Sequence, residues 1–516
     1  MNIVVPMTVS LSLTVVIFCF ALITFYLLYQ GVKRIRSKDV FIDEKINAKW
    51  WVIGLSLFAT DVSLSYVVTT AGYGFNKGLA VGSYNWTSSL VMVFVALYIL
   101  PKYMRLNIKT LPEYLEMRYS AGIRLLAAIL FVTYIVLVAL SMTYYSFAII
   151  ILKTFNISSD FDYWVLIFIG IFSSLLLFSG GLKTAIRFDI FVAFLLIAGG
   201  LTMFFFSIKT VGGFDKLATY SGNKLSAILP ADDNFIPWTE VFLGGLWLLH
   251  LNYWAYFQPM TQKMVSTEKL SEAQKGMLLT ATLKLFNPFL FLLPGIVCYI
   301  LFKDQIKVPE DVLPTLVKNI IPSSLQSAII LAFSISVISC SYAYLNAAAM
   351  IFNHDIYHRF ISPKANEVIK EKIYFGSVLL FACIAILVAP YIMSNQKIFN
   401  LSLMARGCVL PGIISVFTIG LFHPYANKNH GWFALLFPVL VFAVLKYYYP
   451  DWTPVHYLGV NSVITMLLTL LFIAIKPNAK PILLLGIREI RFERNLTVVI
   501  WSIFIIVMVA SIYVIF

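Results

Sequence analysis

Along most of this chain the hydrophobic positions neither alternate nor sit on one face; they fill whole runs. Fourteen apolar stretches can be drawn, near 7–29, 50–74, 79–101, 123–152, 162–180, 185–206, 238–257, 276–302, 323–352, 373–394, 398–422, 432–449, 457–475 and 495–515. Each is long enough to cross roughly 30 Å of hydrocarbon as a helix, and the period-two alternation of a membrane barrel is absent. The stretch Trp50 to Gly74 is the unusual one. It is apolar enough to span, yet Ala59 to Ser65 reads ATDVSLS and puts Asp61 where the bilayer centre should be. An ionisable group at that depth must be compensated by partners, water or an ion, which makes it a functional-site candidate. The small and hydroxylated residues around it predict a helix unwound at Thr60 to Val62, with freed carbonyls able to coordinate a cation. A polar seam between packed helices is the plainer alternative.

A second interruption is expected in 238–257, at Gly244-Gly245 and at His250-Leu-Asn252. Two broken spans five apart imply opposite orientations, and inverted repeats with a site at the midplane are the architecture of secondary transporters. A channel would require a symmetric pore or a ring of identical groups, which one asymmetric chain does not offer.

Composition agrees with a membrane solvent. Of 516 residues 60% are hydrophobic and 12% charged, with a mean hydropathy of +0.88, values no water-soluble domain carries. The net charge of +14 would suggest nucleic acid in a soluble protein. Here 26 of the 38 lysines and arginines fall in the loops after odd-numbered spans and 9 in the others, so the basic excess reports cytoplasmic loops and sets both termini outside. No nucleic acid and no obligatory protein partner is implied; the partners are a small solute and the bilayer. Cys19, Cys298, Cys340, Cys383 and Cys408 stand singly in apolar segments, without metal-ligand spacing. The run 7–29 is too long for a signal-peptide core and reads as a retained helix. No nucleophile–base pair or metal cluster suggests an enzyme.

Seven stretches in order, WWVIGLSLFATDVS (50–63), GLAVGSYNW (78–86), TLPEYLEMRY (110–119), SGGLKTAIRFD (179–189), LNYWAYFQPMTQK (251–263), LKLFNPFLFLLPGI (283–296) and SVISCSYAYLNAAAMIFNHDIYHRF (336–360), together resemble the sodium/solute symporter family that contains the sodium/glucose cotransporters. The resemblance covers roughly residues 45–430. It implies an all-α integral membrane protein with a LeuT-type core of two inverted five-helix repeats among about fourteen transmembrane helices. The expected boundaries are 1–49 for an extra helix and basic loop, 50–206 for the first repeat, 207–237 for an external loop, 238–422 for the second repeat, and 423–516 for three further helices.

The resemblance also implies a co-transported sodium held by the carbonyls of Ala59 and Val62 and by Ser336, Ser339 and Cys340, with Asp189 beneath the site. Sodium is a hard cation that prefers oxygen, so Cys340, where the family usually has Ser or Thr, is a departure that weakens the site or leaves it to water or Ser341. For Asp189 a salt bridge to Arg187 or Lys183 is the plainer role. Relatives with a second sodium have hydroxyls where Tyr342 and Ala343 stand, so a single sodium is expected. Asp61 stands where sugar transporters usually have Asn, and proton coupling through it is an alternative.

By the same resemblance the solute would be met by Tyr66, Tyr84, Asn85, Ser88, His250, Asn252, Tyr253, Trp254, Lys284 and Leu403. Tyr84, Ser88, Tyr253, Trp254 and Lys284 keep the sugar pattern, and Tyr66, Asn85, His250 and Leu403 depart from it. A structural pair with Asp61 is the plainer role for Lys284. Arg406 is a further intramembrane cation that the sugar pattern does not include. The implied activity is sodium symport of a monosaccharide or polyol, with an anionic solute as the alternative and a transporter-derived sensor as a third.

Overall fold

The computed structural model describes Leu22, Tyr29 and residues 45–155, 158, 162–230, 233, 237–242, 244–394, 396–482, 484 and 495–516. Apart from Leu22 and Tyr29, the first apolar run and the basic stretch after it lie outside the described residues. Among the described residues the regular structure is helical, with one isolated bridge between Ile46 and Thr267. The main elements are α1 (Trp50–Asp61), α2 (Leu64–Lys77), α3 (Leu79–Arg105), α4 (Leu111–Arg118), α5 (Ala121–Leu152), α6 (Asp162–Ser179), α7 (Gly181–Val211), α8 (Leu246–Ala255), α9 (Gln258–Val265), α10 (Leu270–Phe302), α11 (Ser323–Ile361), α12 (Glu367–Ile392), α13 (Met404–Phe422), α14 (Lys428–Tyr448), α15 (Pro454–Ile475) and α16 (Leu496–Ile515).

Among the described residues eleven helices are long and apolar enough to span a membrane, or twelve with α1 and α2 taken as one bent span. The described residues thus account for eleven or twelve of the fourteen expected spans. The first span lies outside the described residues, and the seventh is a series of short helices, Trp238–Phe242, α8 and α9, each too short to cross alone.

α1 and α2 meet at an angle of 64°. The break falls at Val62–Ser63, two residues later than the polar residues suggest: Thr60 and Asp61 are still helical, Val62 has φ −97° and ψ 87°, and Ser63 is extended. Ser63 then caps α2, its hydroxyl accepting the Tyr66 amide, the ordinary way to satisfy a free N–H at a helix start. The seventh span breaks at Gly244–Gly245 as expected. His250 and Asn252, however, lie inside α8, and the second interruption comes at Tyr256–Phe257.

The long helix α10 runs beside both halves of the first broken span, and glycine makes the approach possible. A Cβ on Gly54 would lie 2.8 Å from the Gly276 carbonyl oxygen, and one on Gly276 would lie 2.9 Å from that of Trp50. Further along, a Cβ on Gly74 would meet the Leu292 carbonyl oxygen at 2.1 Å, and one on Gly295 that of Ala71 at 2.0 Å. Without a hydrophobic drive between helices in lipid, such close backbone packing supplies much of the association energy. α10 is not uniform: Pro288–Leu292 forms a π turn, which rotates the residues beyond it relative to Lys284.

At one end of the bundle α4 is tied to α5 and α11. Arg124 pairs with Asp355 and Glu116, both at 2.7 Å, and Arg359 with Glu116 at 2.6 Å. Hydrogen bonds from Arg359, and after them Arg124, hold the Glu116 carboxyl below the usual glutamate value. Thr110, which precedes α4, bonds Asp355 at 2.8 Å rather than capping its own helix.

Gly295→Ala is expected to be severe, because its Cβ would fall 2.0 Å from a carbonyl oxygen that no rotamer change can move; overpacking of this kind costs about 1–3 kcal/mol or more. Gly376→Ala, with nothing within 4 Å of the added carbon, serves as the control. Fluorescence-detected size exclusion after a heat ramp should show Gly295→Ala lost at a lower temperature than the wild type and Gly376→Ala unchanged.

Candidate functional site

Both broken spans and the helices packed on them converge on two buried ion pairs. The first joins Asp61, the last residue of α1, to Lys284 of α10: Lys284 Nζ donates to Asp61 Oδ2 at 2.5 Å, and the side chains are 6% and 8% exposed. Removing either partner would strand the other charge, so the pair explains how two ionisable groups persist at this depth.

Aromatic and amide groups from three elements collect around this pair. The Lys284 ammonium lies 5.5 Å above the Trp254 ring, a favourable placement over its π face. Trp254 Nε1 donates to Ser88 Oγ at 2.8 Å, and the Tyr66 hydroxyl donates to Asn85 Oδ1 at 2.7 Å. Tyr253 reaches towards Asp61, and the Tyr84 ring meets His250 edge-on at 6.3 Å. Of the residues expected to meet solute, Ser88, Tyr253, Trp254 and Lys284 are thus linked around Asp61, while Tyr66 pairs with Asn85 and Tyr84 with His250, Tyr66 lying within electrostatic range of Asp61 and His250 of Lys284. Asn252 instead lines a small apolar crevice with Phe131, Tyr134, Phe257 and Leu410. The side chain of Leu403 lies outside the described residues.

Several polar atoms around this cluster are buried without a hydrogen-bond partner: Ser65 Oγ, Trp247 Nε1, His250 Nε2, Asn252 Oδ1, both amide atoms of Asn287, and Arg406 Nε. Buried polar groups are nearly always satisfied, so each of these atoms is open to completion by a bound solute or water. Asn287, 0% exposed and close to Tyr66, escapes sequence reasoning because it precedes Pro288 within an otherwise apolar run. Arg406 stands within electrostatic range of Tyr73, Tyr84 and Tyr344.

The second pair lies under the break in the first span. Asp189 of α7 meets Lys263 of α9 at 2.7 Å, with side chains 0% and 1% exposed; its cation thus comes from the other broken span rather than from Arg187 or Lys183. Ser339 Oγ donates to Asp189 Oδ1 at 2.6 Å and sits 3.4 Å from Thr60 Oγ1. Ser56 and Tyr342 also donate to Asp189. Ser336 Oγ donates to the Phe333 carbonyl at 2.6 Å, leaving its lone pairs available. Cys340 is buried, within reach of Thr143 and Tyr344, and the Ser341 hydroxyl is buried and unpartnered. Lys263 goes unnoticed in the sequence because it follows the seventh apolar run and counts there as a loop cation.

In a continuous helix the amides of Ser63 and Tyr66 would bond the carbonyls of Ala59 and Val62. Here Ser63 makes no such bond, and the Tyr66 amide goes to Ser63 Oγ at 3.4 Å. The two carbonyls expected to bind an ion are therefore free of backbone partners.

A multi-pass helical membrane protein with two interrupted spans meeting at a polar, charge-compensated midplane has the frame of a secondary transporter. The chain belongs to the sodium:solute symporter family, whose model matches residues 46–436, and sodium is the ion that family couples to transport. It is 27% identical over 411 residues to the sodium/glucose cotransporter of Vibrio parahaemolyticus, covering 75% of each chain. With the sodium/myo-inositol cotransporter 2 of Oryctolagus cuniculus it shares 26% over 489 residues, 84% of this chain and 72% of that one. Among solved structures, a substrate-bound, outward-open Na+-coupled sialic acid symporter superposes with a TM-score of 0.78 at 17% identity, over 92% of this chain and 99% of that one. The nucleobase-cation-symport-1 transporter Mhp1 superposes with a TM-score of 0.53 at 13% identity, over 88% and 97%. These two show a shared LeuT-type fold.

The ion pair at the first break is testable by a double-mutant cycle. Asp61→Asn and Lys284→Met should each destabilise the purified protein by about 3–5 kcal/mol, as removal of one buried partner does, and the double variant by less than either. Thermal unfolding in detergent checks this; additive losses would mean the two groups do not interact.

Proposed function

We propose that this protein is a sodium-coupled symporter that imports a small polar solute, a monosaccharide or polyol, by alternating access. The observation that carries the reading is the break at Val62–Ser63, which leaves the Ala59 and Val62 carbonyls without backbone partners on either side of Thr60 and Asp61, with Thr60 Oγ1 3.4 Å from the Ser339 hydroxyl. Carbonyl and hydroxyl oxygens suit sodium, and the ion would be held by Ala59, Val62, Ser336 and Ser339, with Cys340 the weak position and Asp189 acting through Ser339. The solute would lie among Tyr66, Tyr84, Asn85, Ser88, His250, Tyr253, Trp254 and Lys284, where stacking rings and hydrogen-bonding groups alternate as a hydroxylated ring requires. Residues 50–206 and 238–422 would be the two inverted repeats, in a cell membrane with both termini outside.

Coupling follows from shared parts. Sodium between α1 and α11 favours the arrangement in which Asp61, at the end of α1, holds Lys284 in the solute cluster. An ion that stabilises the binding-competent state raises solute affinity, and the solute raises ion affinity by the same factor. The compensation of Asp61 by Lys284 removes the argument for an uncompensated carboxylate that would take up a proton.

A second reading, an anionic solute such as a sugar acid or carboxylate, is favoured by one feature. Arg406 presents a buried Nε without a partner, within electrostatic range of Tyr84, and guanidinium is suited to carboxylate. Competition of neutral sugars against their uronic or sialic acids for binding separates the two readings.

Sodium-dependent counterflow of a labelled monosaccharide or polyol in proteoliposomes is the expected result; solute binding without counterflow would indicate a sensor. Ser339→Ala should abolish sodium dependence while leaving expression intact. Cys340→Ser should tighten the apparent sodium affinity by roughly tenfold, about 1.4 kcal/mol, since a hydroxyl replaces a thiol at a hard-cation site. No change, or a weakening, would remove Cys340 from the ion's surroundings.

A further inference from the structure

Lys263 is surrounded in the manner of a bound ion. Its Nζ lies 2.7 Å from Asp189 Oδ2, 3.0 Å from Ser56 Oγ, 3.1 Å from Tyr342 Oη and 3.3 Å from the Ser56 carbonyl, and it also contacts Thr60 Oγ1. Five oxygens, one of them anionic, thus face a single ammonium that is 1% exposed. The oxygens come from α1, α7 and α11, and the cation comes from α9. Their own hydrogens point elsewhere: Ser56 and Tyr342 donate to Asp189, and Thr60 donates to the Ser56 carbonyl at 3.1 Å. Every one therefore offers lone pairs to the centre. An ordinary buried ion pair needs one carboxylate and one ammonium, whereas this shell has the oxygen-rich composition that an alkali cation would take.

The shell adjoins the sodium site proposed above. Thr60 Oγ1 contacts Lys263 on one side and lies 3.4 Å from Ser339 Oγ on the other, and Ser339 itself donates to Asp189 at 2.6 Å. We propose that Lys263 is a tethered cation that fills a second ion position beneath the transported sodium, and so fixes this chain at one sodium per cycle. A free ion in that shell would bind and leave; an ammonium fixed to α9 neutralises Asp189 without contributing a travelling charge. The inference rests on the sodium-symport reading.

Equilibrium binding of 22Na+ to the purified full-length protein in choline buffer tests it without knowledge of the solute. The wild type should saturate at one sodium per chain with a Hill coefficient near one. Lys263→Met, which opens the shell around Asp189, should bind two, with a Hill coefficient above one and new sodium-dependent thermal stabilisation. Lys263→Arg, which keeps the charge, and Lys263→Met/Asp189→Asn, which removes the anion, should both return to one. Two sodium ions on the wild type, or one on a folded Lys263→Met, would overturn the proposal. Should Lys263→Met not assemble, the wild-type count and the charge-neutral double variant decide: one ion on each supports it, and two on either overturns it. Failure of the symport reading looks different, since the wild type would then bind no sodium.

Discussion

A backbone interrupted within a membrane has to find other partners for the groups it frees, because hydrocarbon offers none. The centre of this protein is arranged around that requirement. The amide side of the break at Val62–Ser63 is settled in part locally, by the Ser63 hydroxyl accepting the Tyr66 amide of α2. The carbonyl side is not: Ala59 and Val62 keep unclaimed oxygens, and the elements around them are placed so that the deficit faces hydroxyls rather than lipid. α10 holds both halves of the broken span in register through the contacts at Gly54, Gly74, Gly276 and Gly295, which are too close for any side chain. α7 and α11 supply Asp189, Ser336 and Ser339. Asp61, the last residue before the bend of 64°, meets Lys284 at 2.5 Å, so the buried charge pair lies directly beside the freed carbonyls.

Much of this was legible in the order of residues. A carboxylate inside an apolar run, and a lysine inside another, each demand compensation in lipid, and their pairing is the simplest solution available to both. The exact place of the break was harder to read. Thr60 and Asp61 look like helix breakers by composition, but Thr60 returns its hydroxyl to the Ser56 carbonyl and Asp61 is neutralised by Lys284, so both stay helical and the chain opens at Val62 instead. His250 and Asn252 mislead in the same way: polar side chains in α8 do not break a helix whose backbone bonds remain intact.

Lys263 shows a different limit. Counting basic residues between apolar runs treats every lysine there as solvated, and the count is right for most of them. It fails where the residues after an apolar run form a short buried helix, as α9 does, because nothing in a window of hydropathy distinguishes such a helix from a loop. Asn287 is hidden for a related reason. Asn287 is the last residue before the π turn at Pro288, and a lone polar residue in an apolar run carries no sign that it comes to lie beside Tyr66. Both omissions concern tertiary closure rather than local propensity.

The charge arrangement bears on why the middle of the protein can work repeatedly. Asp61 with Lys284 and Asp189 with Lys263 are two neutral pairs, each held by additional hydrogen bonds or aromatic contact, and neither requires the transported ion for its compensation. A sodium ion arriving at the break would therefore be bound by dipoles, the carbonyls and hydroxyls of Ala59, Val62, Ser336 and Ser339, with the nearest carboxylate already committed to an ammonium. Were Asp189 unpaired, its full charge would act on the ion across a low-dielectric interior, where Coulomb attraction is many times stronger than in water. Release to the cytoplasm would then be slow. On the proposed reading, neutralising that carboxylate from within the chain would leave a site that binds an ion from outside and gives it up once the helices move.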